Sequence, residues 1–509
     1  MTTYAPRPFM SRTKARIAFL IVGAALLAAC DAGPIRPTVG IPSGAGRPAT
    51  PIVEAPEIDT TISVAVSPHA TNSLIAELTV ETDRENPLSV RVESDGIETR
   101  VIDASESDRT ISIVGLRAET TYSFTAVSGD VEAEAVEFTS GALPVTAPDI
   151  EITQAAANTE TNGITFVGLR DLDDGAGPAY FGFDSEGYVV WYLDSDQRIA
   201  GDPYVRHLGD GEALVLFNRN IQRITLDGTI ISEIDLSGID GWHHDVRLLE
   251  DGGVLLLTRE ERRAGGQNLL GDVVTEVDAD GNIVWEWSTF DHLDTGRFPG
   301  ELATTEARGG GLDWTHANAV WIDEAAGEIL LSSRSQGWVV NIDRASGEIN
   351  WIAGDDAGTS PGFDAPFLTL TAGSWTTGQH APMFTASGDL LVYDNRNESN
   401  GETDQSRAVI YQIDAEAGTA TQVFEALAGK FTSSLGDVDE LPNGNVLIGA
   451  GGTGNRDRDG RITEVNRSGD VVWQAVIPVN SFYRTERITW TDIDGLQPVQ
   501  THTYRGTTR

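Results

Sequence analysis

From about residue 150 onward, the sequence repeats two short phrases in alternation. The first is a turn and a strand ending in Trp or a substitute, as in SEGYVVW (185–191), ADGNIVW (279–285) and SGDVVW (468–473). The second is a turn and an apolar strand, as in DGGVLLLTRE, AGEILLSSRS and SGDLLVYDNR. Because a unit this short cannot bury its apolar face alone, the units must pack against one another. About six units therefore predict an all-β fold, a six-bladed β-propeller over residues 143–509.

Residues 56–142 carry a different pattern of short alternating segments, such as TISVAV, LSVRVES and TYSFTAV, separated by turn residues. Such a run predicts a small β-sandwich ahead of the propeller. The stretch from Leu116 to Tyr122 resembles the corner of fibronectin type III domains, in which a Tyr hydroxyl returns to the backbone. We expect a fibronectin type III-like spacer without chemistry of its own.

The first thirty residues have the pattern of an export signal. Basic residues precede an apolar stretch from Ile17 to Ala28, which is too short to span a membrane. The stretch ends in Leu27-Ala28-Ala29-Cys30, which resembles the lipobox of bacterial lipoproteins and predicts lipidation of Cys30. Residues 31–55, rich in Pro, Gly and Ala, then predict a flexible linker. We expect a lipid anchor on the periplasmic side of the cell envelope, with the choice between inner and outer membrane left open.

The charge of the chain limits its partners. The formal net charge is −42, with 77 acidic and 35 basic residues. Nucleic-acid binding needs a basic face that neutralises phosphates, so we predict no nucleic-acid partner. Cys30 is the only cysteine, which excludes an internal disulfide. The oligomeric state is left open.

Three of the eight histidines stand before corresponding strands in three successive repeats. His244, His316 and His380 precede the glycine turn of their repeats by eight to eleven residues. If these strands are innermost in their blades, the three imidazoles face one central space. An arginine also recurs at the end of the return strand in four repeats, at Arg219, Arg259, Arg334 and Arg396. A functional site at the channel is the interpretation we favour, with structural histidines and bracing arginines as the alternative.

A metal site is a competing use of the three histidines, with Asp245 and Asp313 as further candidate ligands. However, the sequence contains no HExxH pattern and no close His-x-His pair. We therefore predict neither a metal ion nor a cofactor.

Several motifs taken together resemble the aryl sulfotransferase family. They are HHDV before a Gly-turn strand, DWTHANAV before ILLSSRSQGWVVNID, GQHAPMF before LLVYDN, and the closing segment FYRTER (482–487). The resemblance covers roughly residues 150–490 in order. It implies a six-bladed propeller that moves a sulfuryl group from a phenolic sulfate ester to a phenol through a sulfohistidine. The donor and acceptor would be its partners, and no nucleotide sulfate would be needed.

The resemblance also assigns roles to residues. His380 matches the nucleophile, while His316, Asn318 and Arg334 match the groups that hold sulfate oxygens. His244 matches the remaining channel histidine, with the adjacent His243 as an alternative. This assignment is chemically reasonable because a neutral imidazole is a nucleophile near neutral pH and a guanidinium presents a forked, permanent charge to an oxyanion.

Aromatic residues near the motifs have two interpretations. They either pack on the aryl ring of a substrate or belong to the cores of the blades; they are Trp242, Trp314, Trp375 and Tyr393.

Two other functions stay open at this point. One is a non-catalytic propeller scaffold of the cell envelope, which would share the Trp-ended repeats but would not need three channel histidines. The other is a propeller hydrolase or lyase that uses the same His and Arg residues on a different anion. Convergence of His244, His316, His380 and Arg334 on one pocket would argue against the scaffold.

Overall fold

The computed structural model describes residues 62–82, 88–104, 110–143, 147–156, 163–169, 179–193, 205–298, 311–397, 405–451, 459–478 and 482–494. The predicted signal segment, Cys30 and the predicted linker lie outside these residues. The described secondary structure is β-strand apart from two helices of four and five residues, so the predicted all-β class is confirmed. No helix in the described part of the chain is long and apolar enough to cross a membrane.

The first eight strands form two small sheets, ordered β1-β2-β5 and β4-β3-β6-β7, with β8 also on β6. They enclose one apolar cluster that includes Leu78, Val90 and Phe124. The strands are β1 (Ile62–Pro68), β2 (Ala76–Thr82), β3 (Leu88–Ser94), β4 (Ile97–Ala104), β5 (Thr110–Ile113), β6 (Thr121–Ser128), β7 (Val131–Glu132) and β8 (Val136–Thr139).

Six further sheets of four or five strands follow, equal in number to the units counted from the repeats. The remaining elements are β9 (Glu151–Ala155), β10 (Gly163–Leu169), β11 (Ala179–Phe183), β12 (Val189–Leu193), β13 (Val205–Gly209), β14 (Glu212–Leu216), β15 (Asn220–Thr225), β16 (Ile230–Asp235), β17 (His243–Leu248), β18 (Val254–Ala264), β19 (Gln267–Val277), β20 (Ile283–Ser288), α1 (Thr289–His292), β21 (Leu312–Asp313), β22 (Ala317–Asp323), β23 (Glu328–Ser333), β24 (Trp338–Asp343), β25 (Ile349–Ala353), β26 (Thr369–Ala372), β27 (His380–Phe384), β28 (Leu390–Asp394), β29 (Arg407–Asp414), β30 (Thr419–Leu427), β31 (Asp437–Glu440), β32 (Val446–Ala450), β33 (Gly460–Val465), β34 (Val471–Ile477), β35 (Phe482–Thr489) and α2 (Trp490–Asp494).

The first sheet has the order β12-β11-β10-β35, and the sixth has the order β31-β32-β33-β34-β9. Each of these two sheets therefore includes a strand from the far end of the repeat region. The second, third and fourth sheets run in chain order as β13 to β16, β17 to β20 and β22 to β25, with β21 also on β19. The fifth sheet has the order β26-β30-β29-β28-β27.

The six sheets close into a ring. Each neighbouring pair of sheets, including the sixth and the first, shares one buried apolar cluster. The edge strands β35, β13, β17, β22, β27 and β31 are innermost, and most of these strands contact their neighbours. Arg206 on β13 joins β17 through Asp245, at 3.3 Å. This arrangement is the propeller that the repeats predict.

Tryptophans of the repeats fasten neighbouring sheets together. The indole Nε1 of Trp191 donates to the carbonyl of Leu226 in a turn of the next sheet, and that of Trp473 donates to Ser185. In the third sheet, the indole of Trp287 donates to the Gly347 carbonyl in the same way, whereas the repeat phrase ADGNIVW ends two residues earlier. Residues two apart share a face of a strand. The repeat phrase therefore predicts the correct face of this strand but a position two residues too early.

The sandwich contacts the first sheet of the propeller through polar and apolar groups. The Tyr122 hydroxyl accepts a hydrogen bond from the backbone N–H of Arg117 at 2.8 Å, as the predicted corner requires. The guanidinium of Arg117 in turn pairs with Asp184 in the propeller at 2.7 Å. Leu74 and Ile75 belong to apolar clusters of the propeller. The sandwich is thus packed against the propeller that it precedes.

Candidate active site

The histidine-bearing segments enter the channel at irregular backbone positions. The pairing register shifts just after His243, Ala317 and His380, which marks a bulge at the start of β17, β22 and β27. A residue with positive φ lies at or directly before each bulge: His244 at 60°, His316 at 44° and Ala381 at 48°. Bulges re-aim side chains, and left-handed non-glycine residues cluster at functional sites because the fold must hold them there.

The strand register shows that the three histidines are not strictly equivalent, because His380 lies one position earlier in its repeat than His244 and His316 do in theirs. His380 is the first residue of β27 and the next residue has positive φ, whereas His243 holds the corresponding place on β17. His244 is the left-handed residue itself. The pair His243–His244 therefore offers two imidazoles where the fifth sheet offers one.

Two of the three predicted histidines lie beside one tyrosine, and the third lies beside one of them. The ring centroids of His244 and His316 are 5.2 Å apart, and both His244 and His380 lie 6.0 Å from Tyr483. Tyr483 is on β35, is fully buried, and donates its hydroxyl to the Asn318 carbonyl at 2.5 Å. The channel imidazoles thus converge, as the sequence predicted, on a residue that the sequence analysis did not single out.

His380 is oriented from its Nδ1 side. Its Nδ1 lies 2.6 Å from Asn395 Oδ1 and 3.1 Å from the Gly378 carbonyl. Asn395 donates its amide to the Thr432 and Leu435 carbonyls, so its oxygen must face the imidazole as an acceptor. Nδ1 therefore carries the proton, and the lone pair is on Nε2, which has no hydrogen-bond partner among the described residues.

His316 is oriented in the same way. Its Nδ1 lies 2.5 Å from the Asp313 carboxylate, which can only accept. Asp313 is the aspartate considered as a metal ligand, and here it serves as an orienting group for the imidazole. The side chain of His316 is 27% exposed, whereas that of His243 is only 8% exposed.

His244 ends a chain of polar contacts that begins at a buried carboxylate. Nε2 of His243 lies 3.2 Å from Asp272 as an ion-pair contact without hydrogen-bond geometry, and Nδ1 of His243 lies 2.6 Å from Nδ1 of His244. Because the nearby carboxylate favours a proton on Nε2 of His243, we assign the proton between the two rings to His244. Asp272 accepts from Thr315 and from the Ala317 N–H, each at 2.6 Å. In each of the three channel imidazoles, Nδ1 therefore contacts a neighbouring protein group, and Nε2 is left available for a ligand in the channel.

Two further predicted residues adjoin His380. The guanidinium of Arg334 donates to the Ser433 carbonyl at 3.1 Å, while its buried Nε has no partner among the described residues. Asn318 is fully buried and donates to the carbonyl of Gln379, next to His380, at 2.8 Å. Arg334 therefore retains a buried donor for an anion, and Asn318 holds the backbone that carries the imidazole.

Burial governs the titration of these groups. Burial, followed by the charge of Arg334, holds the pKa of His380 well below its usual range. Burial and then the neighbouring His243 do the same to the pKa of His244. Burial opposes the charge of Asp272, but the contact with His243 and hydrogen bonding from the Ala317 N–H keep the pKa of this carboxyl below its usual range. Near neutral pH, two unprotonated imidazoles thus stand beside fixed cations.

The aromatic candidates separate into two groups. Trp242 lines a cavity of about 390 Å³ that also reaches His243 and His244. Trp314, Trp375 and Tyr393 instead pack within the blades, where their rings belong to apolar clusters. Only Trp242 of the four lies where a bound ring would reach it.

Sequence reasoning missed Tyr483, Arg484 and Asp272. Arg484 is 1% exposed, contacts Asp245 and Asp437, and lies with its cation 4.6 Å from the ring of Tyr483. Asp245, the other aspartate considered as a metal ligand, pairs with cations instead. The segment FYRTER was noticed as a family-like closing segment, but no local signal indicates that it lies at the axis. Among the described residues, no group of three or more His, Cys, Asp or Glu side chains is arranged to hold a metal ion.

Comparisons with known proteins agree with the motifs. Residues 149–485 match the family model described as arylsulfotransferase (ASST). Arylsulfate sulfotransferase AssT of Escherichia coli O6:H1 is 25% identical over 349 residues, which is 54% of this chain and 58% of that protein. The chain thus spans less than two thirds of the length of this curated relative.

Solved structures with partial likeness include a protein of unknown function from Bacteroides caccae and the periplasmic gluconolactonase PpgL of Pseudomonas aeruginosa. The first is 16% identical, covers 64% of this chain and 99% of its own, and has a TM-score of 0.39. The second is 13% identical with the same coverage and a TM-score of 0.35. At such scores the likeness says nothing about chemistry. The family match spans well over half of the chain, and on that ground the protein belongs to the arylsulfotransferase family.

Proposed function

We propose that the protein transfers a sulfuryl group from an aryl sulfate ester to a phenol, with His380 as the covalent nucleophile. The observation that carries this proposal is the shared orientation of the three channel imidazoles, each with Nδ1 engaged and Nε2 available. The unpartnered buried Nε of Arg334 adds a donor for the oxygens of the group transferred. Membership of the arylsulfotransferase family supports the same reaction class.

In the first step, Nε2 of His380 attacks the sulfur of the donor. An N–S bond forms, the S–O bond to the aryl group breaks, and the aryl oxygen leaves with the electron pair. Arg334 donates to the sulfuryl oxygens through its unpartnered Nε–H, because fixed donors stabilise charge best where water is excluded. His316 adds a second donor at Nε2 only when both of its ring nitrogens carry protons, since Nδ1–H is directed to Asp313. Asn318 assists by holding the Gln379 carbonyl, and with it the start of β27. The covalent intermediate divides one difficult transfer into two easier ones.

In the second step, the oxygen of the acceptor phenol attacks the same sulfur and the N–S bond breaks, which restores His380. The phenolic proton passes to Nε2 of His244, whose low pKa leaves it unprotonated when the phenol arrives. The resulting imidazolium is stabilised through His243 by the Asp272 carboxylate. His244 then releases this proton to solvent, and the aryl oxygen that left in the first step takes one up, so no proton is gained or lost over the cycle.

One assay separates this proposal from its two alternatives. Purified protein is mixed with 4-nitrophenyl sulfate, with and without phenol, and both 4-nitrophenol and phenyl sulfate are quantified. Continuous turnover only in the presence of phenol, with equal amounts of the two products, supports transfer. Continuous turnover without phenol would indicate a hydrolase, and no turnover in either mixture would favour the scaffold.

The pH dependence of the first step follows from the lowered pKa of His380. Nε2 should stay unprotonated as the pH falls through about 6.5, the ordinary value for histidine. The burst of 4-nitrophenol, measured without acceptor and quenched in base, should therefore keep its rate constant down to about pH 5.5. This leaving group needs no acid, so protonation of His244 does not affect the measurement. A rate constant that falls about tenfold per pH unit below 6.5 would contradict the assignment.

We further propose that Cys30 carries a lipid that holds the protein on the periplasmic side of the cell envelope. The support is the segment Leu27-Ala28-Ala29-Cys30 and the absence of any other cysteine. In cell fractionation, Cys30→Ala should leave the membrane fraction or accumulate unprocessed. Ser43→Ala, in the predicted linker, is the control and should behave like the natural protein. Unchanged membrane association and mobility of Cys30→Ala would refute the anchor.

A further inference from the structure

A cavity of about 390 Å³ lies between the second and third sheets and reaches His244. Its lining includes Arg219, from the turn after β14, and Arg259, on β18. These are two of the four arginines that recur at the same place in the repeats. Unlike Arg334, neither was assigned a role by the family resemblance, and the reaction proposed above does not use them.

Neither arginine has a salt-bridge partner among the described residues. Both side chains are exposed, and neither forms a hydrogen bond or an ion pair among the described residues. Several other arginines of the described part pair with carboxylates, as Arg117 and Arg344 do. Two unpaired guanidinium groups in one cavity, beside imidazoles, make it a place where an anion is stabilised.

The remaining lining suits an aromatic ligand. Trp242 is half-buried and contributes its ring, while Leu216 and Ile239 add apolar surface. One carboxylate, that of Asp240, also lines the cavity, so it is outnumbered by the cations. A volume of this size lies within the range of small-molecule sites. The cavity therefore combines an aromatic surface, a cationic wall and direct access to the imidazole that we assign as the proton acceptor.

We propose that this cavity selects phenols that carry a second anionic group, such as a carboxylate on the ring. The ring lies against Trp242, the carboxylate faces Arg219 and Arg259, and the phenolic oxygen is directed to His244. This inference rests on the proposed function for the direction of the phenol, whereas binding of the anionic ring depends on the cavity alone.

The experiment compares 4-hydroxybenzoate with 4-hydroxybenzamide as acceptors, with 4-nitrophenyl sulfate as donor. The two acceptors have nearly the same shape, and only the first is an anion. For Arg219→Ala and Arg259→Ala, we expect kcat/KM for 4-hydroxybenzoate to fall about three- to tenfold, because exposed cations are partly screened by water. The double variant should lose more, and kcat/KM for 4-hydroxybenzamide should stay within about twofold. Added salt should reduce the preference for the anion.

Arg263→Ala provides a matched control. Arg263 is also exposed and lies on β18, but it does not line the cavity. It should leave both acceptors unaffected. For each acceptor, kcat/KM of the variant is divided by kcat/KM of the natural protein. This ratio removes the intrinsic difference in reactivity between the two phenols. Equal losses for both acceptors, or the same loss in Arg263→Ala, would overturn the inference.

Direct binding separates failure of this inference from failure of the proposed function. Calorimetric titration of the resting protein with 4-hydroxybenzoate should show binding that the amide lacks and that the double variant loses. If neither phenol is sulfated but this binding is found, the proposed reaction fails and the anion site stands. If both phenols are sulfated without discrimination and no difference in binding is found, the reaction stands and the anion site is wrong.

Discussion

Replacing His380 by alanine should lower the rate of sulfuryl transfer by about 10⁴-fold or more, because removal of a covalent nucleophile leaves little besides binding. The imidazole is 2% exposed, and Asn395 engages its Nδ1, which leaves Nε2 as the reacting atom. The decisive measurement is the intact mass after brief exposure to 4-nitrophenyl sulfate without acceptor. The natural protein should gain one sulfuryl group, located by fragmentation on the peptide that contains His380.

A second histidine provides the control for this experiment. His292, on α1, packs on Trp287 of the third sheet with ring centroids 4.4 Å apart, and it belongs to none of the hydrogen-bond chains at the channel. His292→Ala should still form the adduct and keep nearly full activity. Formation of the adduct by His380→Ala, or turnover by that variant at the natural rate, would show that another group is the nucleophile.

Replacing Arg484 by methionine should destabilise the fold by about 3–5 kcal/mol, since removing one partner of a buried ion pair leaves the other charge uncompensated. Arg484 is 1% exposed and lies 2.8 Å from Asp437 and 3.1 Å from Asp245. These carboxylates come from β31 and β17, so the guanidinium on β35 links three innermost strands. Chemical denaturation followed by tryptophan fluorescence should show the loss as a lower midpoint.

An exposed ion pair provides the matched control. Arg467 pairs with Glu440, and its side chain is 40% exposed. Arg467→Met should cost less than about 1 kcal/mol, because solvent screens such a pair. If the two variants shift the midpoint equally, the buried network does not hold the ring together. Because Arg484 also donates to the Asn318 carbonyl at 3.3 Å, we expect its loss to disturb the channel as well.

Much of the candidate site could be predicted from the sequence because its signals are local. The histidines stand at the beginning of strands whose apolar alternation and glycine turns are visible in a few residues, and strands in repeats occupy equivalent places. His244, His316 and His380 were found in this way. The one-residue offset between His380 and His244 was not, since it arises from bulges that depend on the pairing of two strands.

The sequence by itself determined the all-β class, the repeat units and the imidazoles of the channel, because turn residues and two-residue alternation act over short distances. Only the tertiary structure decided which distant strands complete the ring: β9 joins β34, and β35 joins β10. That closure brings Tyr483 among the imidazoles and Arg484 between buried carboxylates. It was not predictable from local pattern, because such pairing depends on the approach of surfaces that lie more than 300 residues apart in the chain.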